Sequence, residues 1–165
     1  MSRANTQILL PSILDRLIDR DPDTTVEANW ARSQGVAQLR DAVQRDLESL
    51  LNARQVRTTE SDDVEQSEML ASSILAYGLP DLTSLSFDDP AQQEFLRDAV
   101  HEAIRRFEPR LIDVNVILVE ATQEGERRLK FVIDGRLKLD PYPEPVRYGT
   151  TVHAINGACE VRAET

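Results

Sequence analysis

The tripeptide Glu108-Pro109-Arg110 is the most chemically suggestive feature of this sequence, because it sets a carboxylate and a guanidinium on either side of a proline. Proline fixes its own φ and pushes the preceding residue out of the α region, so the tripeptide reads as a rigid corner. A guanidinium presents a planar fork of donors suited to a partner's carboxylate or backbone carbonyls. The plainer reading of the same residues is a helix stop with a surface ion pair. His101 and His153 have no second ligand four residues on and no serine elbow nearby, and both read as packing or surface residues. Cys159, the one cysteine, reads as a small core residue in a reducing compartment. No Cys/His spacing suits zinc, and the six glycines form no phosphate loop. The 29 acidic residues leave a carboxylate pair of the glycosidase kind open, since separation in space is invisible in sequence. Asp62, Asp63, Glu65 and Glu68 read as a solvated linker face. The expectation is no catalytic residue, no cofactor and no metal.

The corner needs elements to hold it. Residues 8–18 carry Ile13, Leu14, Leu17 and Ile18 at helical spacing, with Ser12 as N-cap and Asp15 in the place of the capping-box Glu. Residues 20–29 read as a loop. In residues 33–54, Val36, Leu39, Val43, Leu47, Leu50 and Leu51 recur at steps of three and four, the strongest helix signal in the chain. Residues 58–67 read as an exposed linker, and a short apolar segment, 69–79, stops at Gly78 and Pro80. Asp88 or Asp89 caps the next helix and Pro90 suits its first turn, with Phe95, Leu96, Ala99, Val100, Ala103, Ile104 and Phe107 as its apolar stripe. Pro109 ends that helix.

Beyond the corner the period becomes two. Ile112, Val114, Val116 and Leu118 share a face, while Ile117 and Val119 make the same segment apolar on both sides, as in a covered strand. Residues 122–126 read as a hairpin loop. The returning strand points Leu129, Phe131, Ile133, Leu137 and Leu139 inward and Arg128, Lys130, Asp134, Arg136 and Lys138 outward, with Gly135 as a possible bulge. Residues 140–145 are too proline-rich for an inner strand and read as a stiff connector. Asn156-Gly157 is a two-residue hairpin signal between the strands 146–155 and 158–162. The class is α+β: N-terminal helices packed on a small, mainly antiparallel β-meander. Residues 1–30 read as an N-terminal extension with a short docking helix and 31–165 as a single domain.

With 19 basic residues against 29 acidic ones the net charge is -10, which argues against nucleic-acid binding. The excess acid lies in residues 41–100, with thirteen acids and four bases. No signal peptide or membrane-length apolar run is seen, so the expected location is cytoplasmic, without membrane insertion.

Taken in order, Pro11-Ser12-Ile13-Leu14-Asp15-Arg16-Leu17, the run Leu39-Arg40-Asp41-Ala42-Val43 with its continuation Gln44-Arg45-Asp46-Leu47-Glu48, Leu51-Asn52-Ala53-Arg54, Tyr77-Gly78-Leu79-Pro80-Asp81-Leu82, Arg105-Arg106-Phe107-Glu108-Pro109-Arg110-Leu111 and residues 140–145 resemble the TssE family. These are type VI secretion baseplate subunits of the phage baseplate wedge class, which has also carried a lysozyme-like label. The resemblance spans about residues 11–161. It departs at Ala53, where Thr is expected, and at Tyr148-Gly149-Thr150, which lacks an Asp before the Thr.

The resemblance implies a structural protein that joins the wedge subunits TssF and TssG to the first ring of the TssB/TssC sheath, in several copies per baseplate through the wedges rather than by self-association. It implies that Glu108, Pro109 and Arg110 contact the wedge and that the strands resemble the sheath's interlocking domain. Strands with polar outer faces could then pair with a sheath subunit by strand addition. Ile13, Leu14 and Leu17 are expected to dock a partner rather than fill the core. A peptidoglycan hydrolase and an acidic regulatory binding module are the alternatives from other classes. If the corner is an exposed pair, Arg110→Ala should spare folding.

Overall fold

The computed structural model of the protein describes residues 12–17, 35–55, 73–82, 88–119, 128–153 and 157–164. Helix α1 spans Ile13–Leu17, α2 Val36–Asn52 and α3 Pro90–Phe107, with a 3-10 turn at Ile74–Ala76 between the last two. Four strands follow: β1 Leu111–Val119, β2 Arg128–Leu137, β3 Glu144–His153 and β4 Cys159–Glu164. They form one antiparallel sheet in sequence order. The architecture is α+β, with helices on one face of a β-meander. The expected boundary near residue 30 and the readings of 20–29, 58–67 and 122–126 fall outside the described residues.

Local signals account for the helices. Ser12 and Asp15 cap α1 reciprocally: Asp15 N–H donates to Ser12 Oγ at 3.1 Å, and Ser12 N–H donates to Asp15 Oδ2 at 3.3 Å. Helix α2 buries Leu39, Val43, Leu47, Leu50 and Leu51 of the predicted stripe together with Ala42, while Val36 is only partly buried. Asp89 caps α3 by accepting from Ala91 N–H at 3.0 Å, and Pro90 takes its first turn. Leu96, Val100, Ala103 and Ile104 are the buried face of α3. Phe95 was expected in that stripe but is exposed, one residue off the line of contact with the sheet. Phe107 instead meets Tyr77 edge to face, with ring centroids 5.3 Å apart.

Helix α3 lies against β1 and α2 against β4, and the two helices touch each other. The core between them and the sheet holds Leu129, Phe131, Ile133 and Leu137 of β2 with Tyr148 and Val152 of β3. Leu139, also predicted inward, packs against its edge. Tyr148 Oη reaches through the core to donate to the Arg40 carbonyl at 3.2 Å.

Three strand expectations change. A β-bulge sits in β1, where the register jumps from Ile112↔Arg136 to Asn115↔Asp134. Asp113 and Val114 therefore share Gly135 as their opposite number, and Asp113 takes a φ of 53°. The extra residue is on β1 and not at Gly135 itself. Leu111 consequently takes the inward position given to Ile112, while Val116 and Leu118 keep theirs. Second, the outer face of β1 is not covered within this chain's described structure, for Ile117 and Val119 are each 43% exposed. Third, β3 starts at Glu144 and so includes Pro145, which pairs with Arg136. Proline is tolerated there because β4 reaches only to Arg147, so that among the described residues this end of β3 has a strand partner on one side alone. The last hairpin is joined by His153 N–H donating to the Ala158 carbonyl at 2.9 Å, while Asn156 of its predicted turn lies outside the described residues. Gly157 still has positive φ, 65°.

The motif Leu51-Asn52-Ala53-Arg54 locks this hairpin onto α2. Arg54 Nη2 donates to the Gly157 carbonyl at 2.6 Å, while its Nη1 holds the Leu51 carbonyl at 3.1 Å. Leu79 N–H donates to the Ala53 carbonyl at 3.0 Å and Gln55 N–H to the Leu79 carbonyl at 3.0 Å, so Tyr77-Gly78-Leu79 runs beside the same motif. Gly78 is required at this crossing: its φ is +103°, and a Cβ would stand 2.5 Å from the Ala53 carbonyl oxygen.

Candidate docking corner

Helix α3 ends where Glu108 leaves the α region, at φ -120° and ψ 75°, as the proline after it requires. Its N–H still donates to the Ile104 carbonyl at 2.9 Å, and Leu111 N–H closes the turn onto the Glu108 carbonyl at 3.1 Å. This fold-back carries the Glu108 carboxylate over the start of β1. Arg110 then wraps it: Nε donates to Glu108 Oε1 at 2.6 Å, the Arg110 backbone N–H donates to the same oxygen at 3.2 Å, and Nη2 binds Oε2. A second acid completes the arrangement, for Arg110 Nη2 also donates to Asp46 Oδ2 of α2 at 2.7 Å. The Glu108 hydrogen bonds, followed by that of Asp46, hold the Arg110 guanidinium firmly in its charged form despite its partial burial.

The corner is thus not the outward-facing pair expected from sequence. Glu108 is only 3% exposed, and Arg110 and Asp46 are about three-quarters covered. The proline turn points the carboxylate inward, and the guanidinium follows its partner. Its first job is to brace α3 and β1 against α2. Breaking a buried pair by removing one member costs roughly 3 to 5 kcal/mol, because the other charge stays desolvated.

The brace continues into α1. Asp46 Oδ1 accepts from Arg45 Nε at 3.0 Å and Nη2 at 2.7 Å, and Arg45 Nη1 lies 2.9 Å from Asp15 Oδ1. Burial works to raise the Asp15 pKa, but the Ser12 hydrogen bond and Arg45 outweigh it and hold the carboxyl below its ordinary value. The other side of α1 carries the expected docking residues. Ile13 is 79%, Leu14 53% and Leu17 76% exposed, so they lie outside the core. Asp15 was read from sequence only as a cap, and Arg45 and Asp46 were not assigned to the corner, since a link across 64 residues between Asp46 and Arg110 leaves no local trace.

The other chemically suggestive residues are structural. His101 Nε2 lies 3.2 Å from the Val114 carbonyl at the bulge. Cys159 is buried beside the Gly157 carbonyl, and burial pushes its thiol up to about 11. Among the described residues no group of three His, Cys, Asp or Glu side chains could hold a metal ion, and no helix is long and apolar enough to cross a membrane.

The family model for baseplate wedge protein gp25 matches residues 37–142, from the first turn of α2 through the Glu108–Arg110 corner to the connector before β3. The chain belongs to the baseplate wedge protein gp25 family. TssE subunits are members of this family, so the resemblance read from the sequence motifs holds at that level. The role that follows is that of a structural component of a phage tail-like baseplate. No curated protein and no solved structure matches the chain.

Proposed function

We propose that this protein is the TssE-type subunit of a type VI secretion baseplate, acting in the cytoplasm to join TssF and TssG of the wedge to the first ring of the TssB/TssC sheath. The family match across α2, α3, the corner and two strands is the observation that carries this reading. On the wedge side, the apolar face of α1 and the rim of the corner formed by Arg45, Asp46 and Arg110 are the docking residues. The role asks for rigid surfaces and not for turnover, and the two carboxylates gathered at the corner are both engaged by one arginine, an arrangement suited to bracing.

On the sheath side, the two edges of the sheet differ among the described residues. Asn52 and Gln44 of α2 bind the outward-facing backbone of β4 at Cys159 and Val161. Edge strands covered in this way resist pairing with another chain. We therefore assign sheath pairing to β1 beyond its bulge, residues 115–119. Co-expression with TssB/TssC tests it: a cysteine at Val119 should cross-link to a sheath subunit and one at Glu160 should not. Cross-linking through Glu160→Cys alone would move the contact to β4.

A further inference from the structure

Asp15 and Glu108 stand at the two ends of an unbroken series of ion pairs, Asp15–Arg45–Asp46–Arg110–Glu108, that joins α1, α2 and the corner. Each arginine in it bridges two acids, and Asp46 is shared by both arginines. Among the described residues, this series is what ties helix α1 to α2. Helix α1 is five residues long, too short to persist on helix propensity, and its apolar side chains face away from the core. What the described structure shows holding it is the capping box and the Asp15–Arg45 pair.

We propose that α1 and the Glu108–Arg110 corner are one coupled docking surface, in which a partner carboxylate that captures Arg110 also repositions the apolar face of α1. The coupling follows from the shared acid. When the Arg110 fork leaves Asp46, the Asp46 carboxylate has only Arg45 to neutralise it and draws that guanidinium away from Asp15. Helix α1 then loses its anchor on α2. The occupant we commit to is a protein surface presenting a carboxylate beside apolar side chains, matched to Arg110 at one end and to Ile13, Leu14 and Leu17 at the other. That occupant rests on the wedge-docking reading above, whereas the coupling itself belongs to the isolated protein.

The test is therefore made on the isolated full chain. The Asp15 carboxyl is titrated by carbon-detected NMR and the methyl signals of Ile13, Leu14 and Leu17 are followed in the wild type, Arg110→Lys and Arg97→Lys. Lysine keeps the charge but lacks the fork that bridges two carboxylates, so a through-space charge effect alone predicts no change. Arg97 pairs with Asp98 on the exposed side of α3, away from the series. The expected result is that Arg110→Lys raises the Asp15 midpoint by about 0.3 to 0.7 of a pH unit and shifts the α1 methyl signals, while Arg97→Lys moves neither. An Asp15 midpoint and methyl signals identical to wild type in folded Arg110→Lys would overturn the coupling. So would equal shifts in Arg97→Lys. Should Arg110→Lys fail to fold, Asp46→Asn serves instead: it frees Arg45 for Asp15, and the Asp15 midpoint should then fall. An unmoved midpoint in Asp46→Asn overturns the coupling equally. Failure to bind a wedge protein would leave each of these readouts unchanged, so the two readings fail separately.

Discussion

Asn52 meets Cys159 through both ends of its amide: Oδ1 accepts from the Cys159 N–H at 2.9 Å, and Nδ2 donates to the Cys159 carbonyl at 2.8 Å. The side chain stands where a fifth strand's peptide group would stand. Nδ2 also holds the Glu48 carbonyl at 2.8 Å, which fixes the amide on the last turn of α2. Asn52→Ala strands two partly buried backbone groups and should cost about 1 to 3 kcal/mol in denaturant unfolding. Asn52→Asp keeps the acceptor but sets a carboxylate against the Cys159 carbonyl, and should be no better than Ala at neutral pH. An unchanged midpoint in both variants would show that water replaces the amide at no cost.

Glu108→Ala and Arg110→Ala should each destabilise the fold by about 3 kcal/mol, the low end for a broken buried pair because Arg110 keeps some solvent contact. This replaces the expectation from sequence that Arg110→Ala spares folding. Chemical denaturation of both variants decides between brace and ornament, and a loss below about 1 kcal/mol would return the corner to the class of surface ion pairs.

Thr150 points into the core between Phe131 and Val161 of the neighbouring strands, and its Oγ1 is buried without a hydrogen-bond partner among the described residues. Thr150→Val removes that hydroxyl at nearly constant shape. It should raise stability by about 1 kcal/mol, since a buried unmade hydrogen bond is a standing cost. A lower melting temperature would mean the hydroxyl is paired in solution.

Stability should fall at alkaline pH through two buried groups. Burial raises Cys159 from 9.0 to about 11 and Tyr148 from 10.0 to about 12. Both folded values lie above the unfolded ones, so their contribution is complete below about pH 9 and is lost as pH rises toward 12. Tyr148→Phe should flatten the upper part of that decline. At the acid end the signs reverse. Asp15 is held low against burial by Ser12 and Arg45, and Glu102 is held low first by Arg105 and then by Arg106. Their contribution is present above the ordinary carboxylate range and is lost as pH falls through the lowered values. A melting temperature independent of pH between 9 and 11 would contradict the alkaline assignment.

What the sequence disclosed was whatever depends on neighbours in the chain. The Ser12/Asp15 box, the α2 stripe from Leu39 on, an Asp cap before Pro90 and the alternation of β2 rest on residues one to four apart, and the structure has them, with Asp89 as the cap of the two candidates. What it hid depends on contacts across the fold. Gly135 signalled a bulge, but the extra residue belongs to the facing strand, and the phase of Leu111 and Ile112 follows from that. Ile117 and Val119 looked covered because strand composition cannot say what lies on the second face. At the site, Glu108 and Arg110 were legible as a pair. That they turn inward was not, because the acid that completes the pair, Asp46, comes from a helix ended by Asn52, far earlier in the chain.

In the proposed role the protein is a wedge-docking baseplate subunit whose exposed α1 face makes contact. Co-purification with TssF and TssG, compared between the wild type and a variant with Ser in place of Ile13, Leu14 and Leu17, tests it most directly. The wild type should be retained on the wedge, and the triple variant should be lost from it with a melting temperature within about 1 °C of wild type, as expected for exposed side chains. Retention of the triple variant, or a wild type that does not bind the wedge at all, would contradict it.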